Sequence, residues 1–285
     1  MMLVKGHGLG NDYLVLHAWG PDRPAPRPGV ALSAPGAVAL CDRHRGPGGD
    51  GVLEPVSSAV ADVGLRIWNP DGSVAEKSGN GLRIFARYLV DHRGFPPSMT
   101  VEVPAGVVRC EVAPEHVTVE MGVATLDPAQ IPCALRLFDA PIEVCGAALR
   151  ATAVGLGNPH CVIFVTEPLD SLPWRAWGAA LERDPRFPNR TNVQIARVLA
   201  PDQLEARVWE RGAGETSASG SSACAVAVAA RCLGRCEGRV TVNMPGGALS
   251  VEVAPELAVT LRGPVEEVGT FWVSEPLAKK LMVPQ

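Results

Sequence analysis

Two stretches decide the fold: "MTVEVPAGVVRCEVAPE" (Met99–Glu115) and "VTVNMPGGALSVEVAPE" (Val240–Glu256). They align without a gap at an offset of 141, with nine of the seventeen positions identical. The same offset lays "KSGNGLRIFARYLV" (Lys77–Val90) over "ASGSSACAVAVAAR" (Ala218–Arg231), which sets Ser78 over Ser219. Further upstream, "GLGND" (Gly8–Asp12) matches "GLGNP" (Gly155–Pro159) at an offset of 147. Three matches in chain order, at nearly one offset, set chance aside. The period is too long for a solenoid, so the chain reads as two copies of one domain.

Each copy carries the same signals. "YLVLHA" and "HCVIFV" run or alternate apolar, as strands do. "GLRIWN" and "EARVWE" are strands ending at Asn69 and Glu210. A glycine-rich turn follows, then a helix opening at Ser78 or Ser219. "TVEVPAG" and "TVNMPGG" are strands entering turns, and "VRCEVAPEHVTVEMG" and "LSVEVAPELAVTLRG" read as hairpins. "EPLDSLPWRAWGAALERDPRF" adds a helix over Trp174–Glu182 in the second copy. Mostly antiparallel strands with one main helix per copy predict an α+β fold. It comprises two homologous domains in pseudo-twofold arrangement, each a mainly antiparallel sheet wrapped on a central helix. The expected domains are residues 1–126 and 127–285, with the last ~20 residues free to pack back on the first domain.

The composition bounds the function. The chain has 285 residues, 47% of them hydrophobic and 20% charged, with a formal net charge of −4. That is globular, with no basic run or aromatic-basic interleaving to hold nucleic acid or an anionic membrane. The opening "MMLVKGHGLGNDYLVL" lacks the uncharged apolar core of a signal peptide. "ACAVAVAARCL" is too short to cross a bilayer and reads as a buried helix. A cytoplasmic location is expected. The eight cysteines include no CxxC pair, and Cys232 and Cys236 have no second pair to complete a metal set. Reduced, mostly buried cysteine and no metal are expected. Asp42, Arg43, His44 and Arg45 read as a solvated helix end before the loop "GPGGDG".

A serine before glycine at a helix start is ordinarily an N-cap. Duplication gives it another meaning. Two copies facing each other across a cleft would place Ser78 and Ser219 at equivalent helix N-termini on opposite sides of one ligand. Helix N-termini offer unpaired N–H groups and a dipole suited to an anion. A carboxylate held by the Gly79, Asn80, Gly220 and Ser221 amides would let charge develop at the adjacent carbon without a cofactor.

At these residues the chain resembles the diaminopimelate epimerase family. The likeness runs end to end: "KGHGLGNDYLVL", "CDRHRGPGGDGVL", "WNPDGSVAEKSGNGLRIFARYLV", "GLGNPHCVIF", "RTNVQIA" and "WERGAGETSASGSSACAVAVAA", in family order. The resemblance implies a cofactor-independent amino-acid isomerase of lysine and peptidoglycan biosynthesis, converting LL- to meso-diaminopimelate. One cysteine from each domain would serve as base or acid. It implies that Asn11, Asn69, Asn158, Asn192 and Arg211 hold the distal amino-acid end of the substrate. Glu210 would lie near the substrate amine and His160 beside the reacting centre, with Gly79, Asn80, Gly220 and Ser221 on the α-carboxylate. The implied partner is a small amino acid with an α-carboxylate and a distal amino-acid group, with a homodimer as one option for assembly.

The chain departs from the family at both cysteines, which are Ser78 and Ser219. Ser221 stands where Thr is common, and Ser222 where Gly is common. A free thiol has a pKa of about 8.5, and a helix N-terminus lowers that by about one unit. An alcohol shifted by the same amount stays protonated, so a neighbour would have to take its proton. His160 and Glu210 are the candidates the motifs offer. The sequence leaves four readings open: an active epimerase, an amino-acid-binding relic, a protein whose serines were introduced to trap a complex, and an isomerase of another amino acid. Arg211 and its asparagines together argue against the last.

Overall fold

A computed structural model describes residues 1–17 and 30–284. Ala18, the last residue of the expected "YLVLHA" strand, lies outside them. The chain divides into two compact units: Met1–Val119 together with the segment from Pro264 onward, and Glu120–Gly263.

The first unit is a mixed sheet. Met2–Gly8 and Asn11–His17 form a tight hairpin whose Leu9 and Gly10 take φ of 58° and 87°. Asn11–His17 runs parallel to Gly51–Val56, which pairs antiparallel with Val63–Trp68. That strand lies parallel to Ser98–Val103, and the antiparallel Gly106–Val112 and the start of Val117–Val123 follow. The other side of Met2–Gly8 pairs with Glu266–Trp272 from the chain's far end.

The second unit repeats this plan. Its longer strands are Ala140–Val144, Ala147–Gly155, Pro159–Phe164, Asn192–Ala200, Gln203–Glu210, Arg239–Met244, Gly247–Val253 and Ala258–Gly263, and the short Gly214–Thr216 pairs with Gln203–Glu210. Parallel pairing falls in the equivalent places, between Pro159–Phe164 and Asn192–Ala200 and between Gln203–Glu210 and Arg239–Met244. The registers coincide as well. Tyr13 pairs with Gly51 as His160 pairs with Asn192, and Val52 pairs with Trp68 as Val193 pairs with Trp209. The internal repeat is therefore a structural repeat, residue for residue, through the strands that carry the site motifs.

Each unit holds one long helix. Gly79–Arg93 is amphipathic, and Leu82, Phe85, Ala86 and Leu89 lie in the core at helical spacing. Burying a leucine or phenylalanine of this kind contributes about 1.5–3 kcal/mol. His92 and Arg93 occupy the last turn, where cations suit the dipole, and Gly94 ends the helix at φ 67°. Gly220–Cys232 is different, being buried on every side from Gly220 to Ala230 and built from small residues. This is the buried helix expected of "ACAVAVAARCL". A third helix covers Trp174–Glu182, as expected from the sequence. Among the described residues no helix is long and apolar enough to cross a membrane. Among the described residues no cysteine forms a disulfide, and five of the eight cysteines are buried.

Candidate active site: two helix starts and their neighbours

Ser78 is the N-cap of Gly79–Arg93, and its Oγ accepts a hydrogen bond from the Gly81 amide at 3.0 Å. The same Oγ lies 3.1 Å from the Tyr13 hydroxyl. Behind this first turn, Arg83 is wholly buried. Its Nη2 donates to Asn80 Oδ1 at 2.8 Å and its Nη1 to the Gly79 carbonyl at 3.4 Å. Asn80 Nδ2 donates to Asn11 Oδ1 at 2.9 Å, and Asn11 Nδ2 donates to Asp50 Oδ2 at 2.9 Å. The carboxamides of Asn80 and Asn11 are thus oriented by a directional chain running from the guanidinium to the carboxylate.

That chain ends in a charge cluster. Arg43 bridges Asp12, at 2.6 and 3.1 Å, and Asp50, at 2.8 Å. Lys5 Nζ lies 2.8 Å from Asp12 Oδ2. Burial pushes the Asp12 carboxyl up, but the hydrogen bonds and charges of Arg43 and Lys5 together outweigh it and bring it to about 2. Asp50 moves the other way, raised mainly by burial and also by the neighbouring Asp12 charge. Arg43 is exposed, as read from the sequence, but its guanidinium is also committed to Asp12 and Asp50, which the sequence did not show. The Ala34–Cys41 helix has already stopped, and the following turn carries the guanidinium back onto Asp12 and Asp50. Asp42 does behave as expected, its exposed carboxylate accepting from the His44 and Arg45 amides.

Asn69 sits where the Val63–Trp68 strand turns back into Val74–Ala75. Its Nδ2 donates to Ser73 Oγ at 2.9 Å, and its backbone closes the turn with Ser73 and Gly72.

In the second unit Ser219 is the N-cap of Gly220–Cys232 with similar backbone angles, yet its side chain makes no cap hydrogen bond. The N–H groups of a helix's first turn have no carbonyl within the helix, and here the cap side chain takes none of them. Ser219, Ser221 and Ser222 are all buried. His160 has no solvent exposure. Its Nε2 lies 2.8 Å from Asn158 Oδ1 and its Nδ1 lies 3.0 Å from Gln194 Nε2. Gln194 Nε2 also donates to Ser222 Oγ at 2.9 Å. Burial, with the Arg211 charge adding to it, brings the imidazolium pKa down to about 3, so the ring is neutral at physiological pH.

Asn192 Nδ2 donates to the Pro159 carbonyl at 3.0 Å, while its Oδ1 accepts the Arg211 amide at 3.0 Å. The Arg211 side chain reaches the Asn189 carbonyl at 3.4 Å. Glu210 Oε1 accepts from Thr216 Oγ1 at 2.7 Å. The turn after Glu210 is tied down by buried Glu182, which accepts from the Gly212 amide at 2.7 Å, from Trp209 Nε1 at 3.3 Å and from Arg190.

Within each unit the sequence-derived residues gather into linked groups. Asn11, Gly79 and Asn80 share one network with Arg83, while Ser78 joins Tyr13. In the other unit Asn158 and His160 share a network, and Asn192 and Arg211 share a second. Tyr13, Asp12, Asp50, Arg43, Arg83 and Gln194 were not found by sequence reasoning. For Tyr13 a signal was available: at the 147-residue offset it is the counterpart of His160.

The architecture is that of amino-acid racemases, epimerases and their relatives among solved structures. A probable proline racemase from Agrobacterium radiobacter superposes with a TM-score of 0.71 over 96% of this chain and 93% of that one, at 16% identity. A hydroxyproline epimerase from Agrobacterium vitis, solved with trans-4-hydroxy-L-proline, gives 0.67 over 100% and 92%, at 14% identity. At such identities the likeness concerns fold alone. Sequence goes further. The family described as "Diaminopimelate epimerase" matches residues 3–126 and 152–268. A diaminopimelate epimerase from Pelotomaculum thermopropionicum is 43% identical over 279 residues, covering 94% of this chain and 97% of the relative. One from Moorella thermoacetica is 42% identical with the same coverage. The chain belongs to the diaminopimelate epimerase family.

Proposed function

We propose that this protein is a cofactor-independent amino-acid epimerase that inverts the α-carbon of diaminopimelate, with Ser78 and Ser219 in the two acid/base positions. The supporting observation is the matched placement of the two serines. Each occupies the N-cap position of the long helix of its own unit, at the same register of a structural repeat, in a chain 43% identical to a curated diaminopimelate epimerase. In the proposed reaction one group removes the α-proton and the other returns a proton to the opposite face, so no redox partner is needed. The Gly79, Asn80, Gly220 and Ser221 amides would stabilise the carboxylate as negative charge develops. Asn11, Asn69, Asn158, Asn192, Glu210 and Arg211 would recognise the distal amino-acid group and the amine.

Serine needs a partner to do this work. Tyr13 is in contact with Ser78 Oγ, and a phenol is a stronger acid than an alcohol, so it is suited to supplying a proton there rather than taking one. His160 is a poor recipient of a serine proton, because both ring nitrogens are engaged and its charged form is strongly disfavoured. It serves better as a fixed, neutral positioning group. Incubation of the protein with LL-diaminopimelate in heavy water should give α-deuterium incorporation, read by mass spectrometry. No incorporation over hours, with binding intact, would exclude epimerase activity on this substrate.

A second reading, an amino-acid-binding homologue without turnover, is favoured by Ser78 spending its Oγ on an ordinary helix cap. Tight binding without exchange, and exchange appearing in Ser78→Cys/Ser219→Cys, would mark that case.

A further inference from the structure

The structural repeat allows one half of the molecule to be compared with the other at single positions. At the 141-residue offset, Ser222 is the counterpart of Gly81 and Gln194 of Leu53. In the first unit this pair is apolar. Leu53 is buried, and its Cδ2 stands 3.0 Å from where a Cβ on Gly81 would lie. In the second unit both members are polar, both are fully buried, and they are bonded to each other. A buried amide is costly unless it is bonded, so this exchange of leucine and glycine for glutamine and serine calls for a purpose.

Gln194 Nε2 donates one N–H to Ser222 Oγ and the other to His160 Nδ1. Gln194 Oε1 is buried without a hydrogen-bond partner. Turning the amide over would instead strand two N–H groups, which are rarer orphans in proteins than a carbonyl oxygen. With Nδ1 an acceptor and the ring neutral, the ring proton sits on Nε2 and is donated to Asn158 Oδ1. Asn158 then has its oxygen turned to His160, and its Nδ2, with two N–H groups, is the end left to face a ligand.

We propose that Gln194, anchored by Ser222, is a positioning residue that locks His160 as the Nε2–H tautomer and thereby makes Asn158 a hydrogen-bond donor towards the substrate. The group that Asn158 meets is accordingly an acceptor, a carboxylate oxygen rather than an ammonium. The ligand half of this inference rests on the diaminopimelate reading; the tautomer half does not.

Nitrogen-15 NMR of selectively labelled histidine tests the lock in the intact protein, and calorimetry with LL-diaminopimelate tests its consequence. The wild type should show His160 protonated at Nε2 alone at neutral pH. Gln194→Leu should mix the two tautomers and weaken diaminopimelate binding by about tenfold, the effect of losing one hydrogen bond to a charged group. Gln194→Glu keeps the shape and, when ionised, offers only acceptors, so His160 should then carry a proton on Nδ1. If Gln194→Leu alone does not fold, Gln194→Leu/Ser222→Gly, which copies the first unit's apolar pair, takes its place. A wild-type Nδ1–H tautomer overturns the proposal. So does a leucine variant in which either the tautomer or the dissociation constant is unchanged. Should the wild type bind no diaminopimelate, the substrate reading fails and the lock stands or falls on the NMR signals.

Discussion

Replacing each cap serine with alanine should cost the two helices very different amounts. Ser78→Ala removes the acceptor of the Gly81 amide at 3.0 Å and the partner of the Tyr13 hydroxyl at 3.1 Å. Loss of a Ser cap costs about 1 kcal/mol, in a range of roughly 0.5–2. Gly81 is buried and water cannot replace the lost acceptor, so the upper half of that range applies. The lost tyrosine bond adds about 0.5–1.5 kcal/mol, for a total of about 2–3. Ser219→Ala breaks no cap bond and should stay within about 0.5 kcal/mol. Because the two helix starts lie in different units, a single global midpoint does not separate the loss at one from the loss at the other. Native-state hydrogen exchange at the amides of Gly81 and Ser222, each three residues into its helix, reports each start separately. A 2 kcal/mol loss speeds Gly81 exchange by about thirtyfold, whereas Ser222 exchange in Ser219→Ala should change less than about threefold. Equal acceleration at the two sites would refute the asymmetry. Ser78→Cys is a useful intermediate, since a thiol fills the space but accepts hydrogen bonds weakly.

Two further outcomes follow from the first unit's buried polar network. A Cβ at residue 8 would lie 2.7 Å from Arg83 Nη2, and that guanidinium is wholly buried, so Gly8→Ala should cost about 1–3 kcal/mol in denaturant unfolding; a loss under about 0.5 kcal/mol would show that Arg83 can yield. Asp12→Asn should destabilise most above about pH 4. A carboxyl brought to about 2 in the folded state contributes stability above its unfolded pKa and loses it as pH falls through about 2. The contribution is on the order of 2 kcal/mol before the opposing rise of Asp50 is subtracted. Urea midpoints of wild type and variant should converge on acidification, and a constant gap down to pH 2 would contradict the ion-pair assignment.

Local pattern and repetition carried most of the fold. The Trp174–Glu182 helix, the buried Gly220–Cys232 helix and both hairpins that turn at the "VAPE" motifs were legible from periodicity and turn residues. The sequence allowed the last residues to pack back on the first domain, but no local pattern gave the Glu266–Trp272 strand or its register on Met2–Gly8. In the site, glycine turns and asparagines announced themselves by motif. Arg43 did not, because a basic residue after a helix looks alike whether solvated or folded back on two aspartates. Gln194 lay inside an apolar strand, where one polar residue reads as noise until its hydrogen bonds are seen. The difference between Ser78 and Ser219 was likewise beyond sequence, since it depends on whether a side-chain oxygen turns toward an amide.

The unlike helix starts also bear on reversibility. An epimerisation equilibrium is a property of the two stereoisomers in water, and no catalyst can move it. If Ser78, bonded to a phenol and an amide, is slower to release a proton than Ser219, the forward and reverse kcat/KM must still change by the same factor. The ratio of forward to reverse kcat/KM is therefore pinned at the solution value for the protein and for every variant of either serine. Each substitution can slow the reaction or tighten one isomer's hold, but none can make the enzyme prefer a product.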